Sequence, residues 1–150
     1  MENNGEYPKM YLYKRVVQAK LFIDDHYADK IDLDNIADEA CFSKYHFIRL
    51  FKNIYGNTPH QYLTAVRIEK ATLLLQEAMP VSEVCLAVGF ETLSAFGGLF
   101  KRATGFSPSA FLEKQRQMRI EILQEPLKFI PACFIYQHGL DENSNFEIAG

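Results

Sequence analysis

No apolar run in this 150-residue chain approaches the ~18 residues needed to cross a bilayer. The N-terminus, MENNGEYPKMY, lacks the basic-then-apolar layout of a signal peptide. Cysteine is scarce: Cys41, Cys85 and Cys133 are widely spaced and form no CxxC pair. That pattern excludes a disulfide framework and a zinc site, and points to reduced thiols in a cytoplasmic protein. His26, His46, His60 and His138 do not cluster at metal-ligand spacing, so no metal is expected. There is no carboxylate dyad, nucleophile motif or glycine-rich phosphate loop, and the three cysteines have no activating neighbours in sequence. Nothing supports catalysis, and no cofactor is implied. A DNA-repair enzyme with a fused reactive cysteine is correspondingly the weakest reading.

The chain also lacks the positive balance of a typical nucleic-acid partner, its net charge being −3. The charge is segregated, however. Lys44, Arg49, Lys52, Arg67 and Lys70 against Glu69 make residues 43–70 net +4. Lys101, Arg102, Lys114 and Arg116 against Glu113 make 101–116 net +3. Residues 24–39 hold six aspartates and Glu39 against Lys30 alone, a net of −6. A single basic segment would read as a solvated helix face; two in matching positions ask for a shared partner.

What the sequence does contain is a repeat. FSKYHFIRLFKNIYGNTPHQYL at 42–63 returns, altered, as LSAFGGLFKRATGFSPSAFL at 93–112. Phe51 maps to Phe100, Lys52 to Lys101, Gly56 to Gly105, Pro59 to Pro108 and Leu63 to Leu112, each pair 49 positions apart. Aromatic, lysine, glycine and proline at fixed offsets describe one small unit used twice.

In chain order, residues 1–10 read as a flexible arm, and Leu12, Val16, Ala19, Phe22 and Ile23 give helical periodicity from about Tyr11 to Tyr27. Asp32 stands as N-cap before a helix of barely two turns, 33–40, and Ser43 as N-cap before a helix over 44–55. A short helix, a tight turn and a second helix with a basic face are the layout of a helix-turn-helix. In the second helix Phe47, Leu50, Phe51 and Ile54 are expected inside, with Lys44, Tyr45, Ile48, Arg49 and Lys52 outside. Gly56 closes it, and Thr58-Pro59 opens a linker helix running to about Ala78. Ile68 and Leu73 fall off the main apolar stripe of that linker, as suits a helix touching two bodies. Val81, Val84, Cys85 and Val88 then repeat Leu33, Ile36, Ala37 and Ala40, with Ser82, Glu83 and Ser94 as polar start signals. A helix over 93–104 and a last one from Ser109 to about Gln124 follow. Arg67 and Glu69 read as a structural salt bridge, and Cys85 as a buried thiol. Residues 126–150 read as a loose tail, β-prone over 129–136 and folded onto the domain through Phe129, Phe134 and Ile135.

With those motifs in place, the chain resembles the DNA-binding domain of the AraC/XylS family of bacterial transcription regulators over about residues 11–116. The most specific segment is VSEVCLAVGFETLSAFGGLFKRATGFSPSAF. The resemblance implies an all-α fold of about seven helices: a first helix-turn-helix unit at about 11–57, a linker helix at 59–78 and a second unit at 81–118, with 119–150 as helix end and tail. It implies sequence-specific binding of double-stranded promoter DNA, two recognition helices entering adjacent major grooves ~34 Å apart. An activator that also touches RNA polymerase is expected, with no membrane partner. Family members typically add a sensor domain, for which these 150 residues leave no room. A stand-alone form, monomeric on DNA, is therefore expected.

By position, Tyr45, Ile48 and Arg49 occupy the family's base-contacting sites, with Ser43 at the helix start and Lys44, His46 and Lys52 placed for phosphates. Tyr45 is read either as stacking on sugar or a thymine methyl, or as a half-buried aromatic; Ile48 contacts a methyl if exposed and is core if buried. Arg49 is read as pairing with guanine, or else as ion-paired to the acidic helix 33–40. The second unit departs from the pattern, with Leu93, Ser94, Gly97 and Gly98 at the matching positions and Lys101 and Arg102 for phosphates. Paired glycines in a helix reflect tight packing or drift, or else let the backbone sit close to DNA. Hydrogen-bonded base readout is expected to rest on the first unit. The competing function is a helix-turn-helix module that has lost DNA affinity and binds a protein, a reading motivated by the net acidity and by Gly97-Gly98.

Overall fold

The computed structural model describes residues 6–34 and 43–139. Seven α-helices lie among them: α1 (Glu6–His26), α2 (Lys44–Tyr55), α3 (Pro59–Gln76), α4 (Val81–Ala87), α5 (Leu93–Thr104), α6 (Pro108–Gln124) and α7 (Ala132–His138). A 3₁₀ turn, Pro126–Phe129, joins the last two, and no strand occurs among the described residues. The all-α class read from the sequence is the one observed. Leu33 and Asp34 are helical, and the rest of the expected helix 33–40 lies outside the described residues.

The repeat is built from the same local hydrogen bonds in both copies. Ser43 Oγ accepts from the His46 amide and Thr92 Oγ1 from the Ala95 amide, each at 3.2 Å, so α2 and α5 are capped by residues 49 apart. Thr92, not Ser94, is therefore the start signal of α5, and α4 begins after Pro80 with no side-chain cap despite Ser82. Gly56 (φ 77°) and Gly105 (φ 82°) close α2 and α5, donating to the Lys52 and Lys101 carbonyls at 2.8 Å. Thr58 opens α3 with a reciprocal box: it takes the Gln61 amide, and its own amide donates to Gln61 Oε1. Ser107 caps α6 with the single bond it accepts from the Ala110 amide, at 3.2 Å.

Two cores result. The first joins Val16, Ala19 and Ile23 of α1 with Leu33, Phe47, Phe51 and Leu63. The second joins Ile68, Ala71 and Leu75 of α3 with Val84, Cys85, Val88, Phe90, Phe96, Phe100 and Leu112. Phe51 meets Tyr62 edge-on at 5.6 Å, and its counterpart Phe100 meets Phe111, again 49 residues on, at 5.5 Å. The linker α3 serves both cores, Leu63 on one side and Ile68 on the other, as its second apolar face foretells. Leu73 is an exception and stays half exposed. Cys85 is buried as expected, and burial pushes its thiol pKa up.

Four boundaries or faces differ from the sequence reading. Helix α1 starts at Glu6, inside the expected arm, because Pro8 falls in its first turn where no amide partner is required. The linker stops at Gln76: the Ala78 amide donates to Leu75 and the Met79 amide to Leu74, with Ala78 at φ 66°. That is a helix-ending motif, and Pro80 disfavours helix in the residue before it. Ile54 is 41% exposed and Leu50 half-buried. Tyr55 fills the inward place instead, 4.9 Å from Phe51 and 5.9 Å from Tyr62. The described part of the tail, 126–139, is largely helical and not β-like: Pro126 opens the 3₁₀ turn and Pro131 precedes α7, so both prolines begin a turn of helix. Ile135 is half-buried, whereas Phe129 and Phe134 remain 46% exposed, so docking of the tail is slight. Residues 140–150 lie outside the described residues.

Candidate nucleic-acid interface

Helices α2 and α5 each turn two phenylalanines inward, Phe47 and Phe51 against Phe96 and Phe100, and this fixes which residues face out. On α2 the outward stripe is Tyr45, Arg49 and Lys52; on α5 the equivalent positions are Ser94, Gly98 and Lys101, with Arg102 and Leu93 alongside. Tyr45 is 77% exposed, which removes the half-buried alternative. Ser43, His46, Arg49 and Lys52 are exposed, as are Ser94, Lys101 and Arg102, and Leu93 is 54% exposed.

Ile48 behaves differently. It packs against the first core and lines a cleft of about 240 Å³ with Leu33, Phe47 and Pro59. Its burial makes it more a core edge than a free apolar contact. Lys44 is exposed but not free: its ammonium lies 2.6 Å from Asp34 Oδ1, and the bond holds that carboxyl below the usual carboxylate range. The acidic run ahead of α2 thus supplies a counter-ion within the candidate interface. Of the acidic helix 33–40 that is the alternative partner for Arg49, residues 35–40 lie outside the described residues.

The paired glycines of α5 have a clear setting. Gly97 is half-buried and Gly98 exposed, and a Cβ placed on either would meet nothing within 4 Å. Tight packing therefore does not explain them. Alanine at each site is expected to raise stability by about 1 kcal/mol, the helix-propensity difference, measurable by urea unfolding. A loss of stability would mean the fold needs glycine there.

Two residues were misjudged or missed in the sequence. Arg67 forms no ion pair with Glu69. Its Nε donates to the Tyr27 carbonyl at 2.6 Å and Nη2 to the Asp29 carbonyl at 2.9 Å, and burial lowers its pKa. His60, at the second position of α3, lines the cleft beside Lys44 and Ile48 and a second cleft beside Leu99 and Arg102. It therefore stands between α2 and α5. No periodicity marks such a residue, because its position follows from the crossing of three helices. Among the described residues no group of His, Cys, Asp and Glu could hold a metal ion, and no helix is long and apolar enough to cross a membrane.

Comparison with known proteins agrees with this architecture. A family model described as a helix-turn-helix domain matches residues 36–114. The chain is 34% identical over 97 residues to the MmsAB operon regulatory protein of Pseudomonas aeruginosa, covering 64% of this chain and 32% of that protein. It is 36% identical over 99 residues to the arabinose operon regulatory protein of Escherichia coli, covering 65% and 34%. The chain thus spans about a third of the length of these curated relatives. Among solved structures it resembles the DNA-binding domain of AdpA, a global transcriptional factor crystallised with a target DNA. That match has 27% identity and a TM-score of 0.61, over 74% of this chain and 96% of that one. The family model alone covers more than half of the 150 residues. The chain belongs to the AraC-type family of helix-turn-helix, DNA-binding transcription regulators.

Proposed function

We propose that this protein reads a specific promoter sequence as a monomer, with α2 and α5 lying in successive major grooves on one face of the duplex, and that it acts as an activator in contact with RNA polymerase. The observation that carries the two-groove reading is the pairing of outward stripes. Tyr45, Arg49 and Lys52 on α2 are matched position for position by Ser94, Gly98 and Lys101 on α5, each backed by two buried phenylalanines. Such repeats suit grooves one helical turn, about 34 Å, apart.

Duty within the pair is unequal. Arg49 and Tyr45 supply base contacts from the first unit, and Ser43 and His46 lie at the start of that helix. Lys44, Lys52, Lys101 and Arg102 hold phosphates, Lys44 by exchanging Asp34 for DNA. In the second unit Leu93 and Ser94 approach the bases, while Gly97 and Gly98 keep the helix surface low enough for the backbone to come close. The open space over those glycines supports this assignment, since among the described residues nothing lies within 4 Å of where a Cβ would sit. A duplex is a bacterial cytoplasmic partner, which sets the location expected of the protein.

Salt dependence tests the function. Neutralising about four phosphates gives a slope near −3.6 in log K against log salt, so affinity should fall roughly 10²-fold between 50 and 200 mM. A duplex pool that is not retained even at low salt would favour the protein-interaction module instead, as the net charge of −3 would then be telling.

A further inference from the structure

We propose that Arg67 is a positioning residue that fixes the separation and rotational phase of the two recognition helices. The inference rests on the two-groove reading above. Arg67 lies in the middle of α3, yet its side chain belongs to neither core. It reaches to the end of α1, where its Nε and Nη2 take the Tyr27 and Asp29 carbonyls at 2.6 and 2.9 Å. Those carbonyls follow the last turn of α1, where helix carbonyls lack partners and a cation is favoured. The guanidinium also lies over the ring of Phe90, 5.6 Å from its centroid. Phe90 belongs to the second core and stands two residues before Thr92, the N-cap of α5. One planar group therefore joins the first unit, the linker and the start of the second recognition helix.

The backbones meet at the same point. Gly89 is at φ 88°, and a Cβ on it would lie 2.7 Å from the Ala28 carbonyl oxygen. The turn of the second unit is thus seated on the loop that follows α1, with no side chain between. Tyr27 packs against both cores, and Lys30 and Glu91 approach to 3.9 Å at the rim. That exposed ion pair contributes little. Arginine alone among side chains offers an edge of several fixed donors and a flat face at once, so lysine cannot make all three contacts.

The variant Arg67→Met keeps an apolar stem and removes the donors. The probe is the duplex that the wild type selects from a random pool, together with its first half-site alone and versions with one base pair added or removed between half-sites. One base pair shifts the second site by about 3.4 Å and about 34°. A rigid pair should lose at least about tenfold on such a shift, because simultaneous engagement depends on matched geometry. For Arg67→Met we expect the full duplex to bind about 10- to 100-fold more weakly and the half-site to bind within about twofold of wild type. The one-base-pair penalty should shrink below about threefold. Arg67→Lys should fall between, and circular dichroism should remain native.

An unchanged spacing penalty and full-site affinity would overturn the proposal. Equal losses on half-site and full site would overturn it too, since Arg67 would then act on DNA directly or on the stability of one unit. If the wild type itself were indifferent to spacing, the two-groove reading would fall first, and this inference with it. Should Arg67→Met melt, Arg67→Lys decides the matter by the same comparison. If neither folds, Arg67 is a stability residue and the proposal is wrong.

Discussion

Phe51→Ala and its repeat partner Phe100→Ala are each expected to lower stability by about 3–5 kcal/mol in urea unfolding, the usual range for deleting a buried aromatic ring. Both rings are fully buried. Phe51 touches Phe47, Tyr55 and Tyr62 at centroid distances of 6.0, 4.9 and 5.6 Å, and Phe100 touches Phe96 and Phe111 at 5.6 and 5.5 Å. A domain of ordinary stability, about 5–15 kcal/mol, would be left marginal. The two variants should nevertheless fail differently. The linker contributes Leu63 to the first core but Ile68, Ala71 and Leu75 to the second. Loss of Phe51 should therefore open α1 and α2 while amides of α3 to α6 keep much of their protection from hydrogen exchange. Loss of Phe100 should strip protection from the linker as well, and so from both units. Uniform loss of protection in Phe51→Ala would show that the cores fold as one unit.

Arg49→Ala is expected to weaken binding to the selected duplex by about 10- to 100-fold, matching the roughly 1–3 kcal/mol of discrimination carried by a good bidentate base contact. Binding to random duplex should change little. The contrast follows from position: Arg49 is exposed on the outward stripe of α2, and its counterpart on α5 is Gly98, which has no side chain to offer. Parallel titrations on selected and random duplexes check this. Equal losses on the two would make Arg49 a phosphate ligand, and the first unit would lose its claim as principal reader. Mutating bases under the first unit should also reduce binding more than mutating those under the second.

The protein's sequence and its tertiary structure answer different questions, and the division follows the range of the interactions. Ser43, Thr58, Gly56, Gly105, Pro59 and Pro108 could be assigned from sequence, because capping and helix termination act over three or four residues and depend on side-chain type. The 49-residue repeat, the shared linker and the family could be read for the same reason, being written in local chemistry at fixed spacing. Helical periodicity was less decisive where two neighbours compete for one inward place. Ile54 and Tyr55 both follow Phe51 at helical spacing, and only the position of Tyr62, brought in by α3, puts Tyr55 inside. Ile48 likewise became a core edge through its neighbours Leu33 and Pro59.

The tail and the first turn show the ambiguity of proline, which ends a helix from within but begins one at its first turn. Most dependent on the assembled fold are the contacts between units. Arg67 bonds carbonyls 38 and 40 residues away, and Gly89 abuts Ala28 across a longer gap. The open space over Gly97 and Gly98 belongs to the same class, since only the packed neighbours reveal that nothing fills it. Sequence by itself determined the kind of unit and its duplication. Tertiary structure alone decided how the two units are held, because that depends on where helices cross, and crossing is settled by the summed packing of side chains distant in the chain.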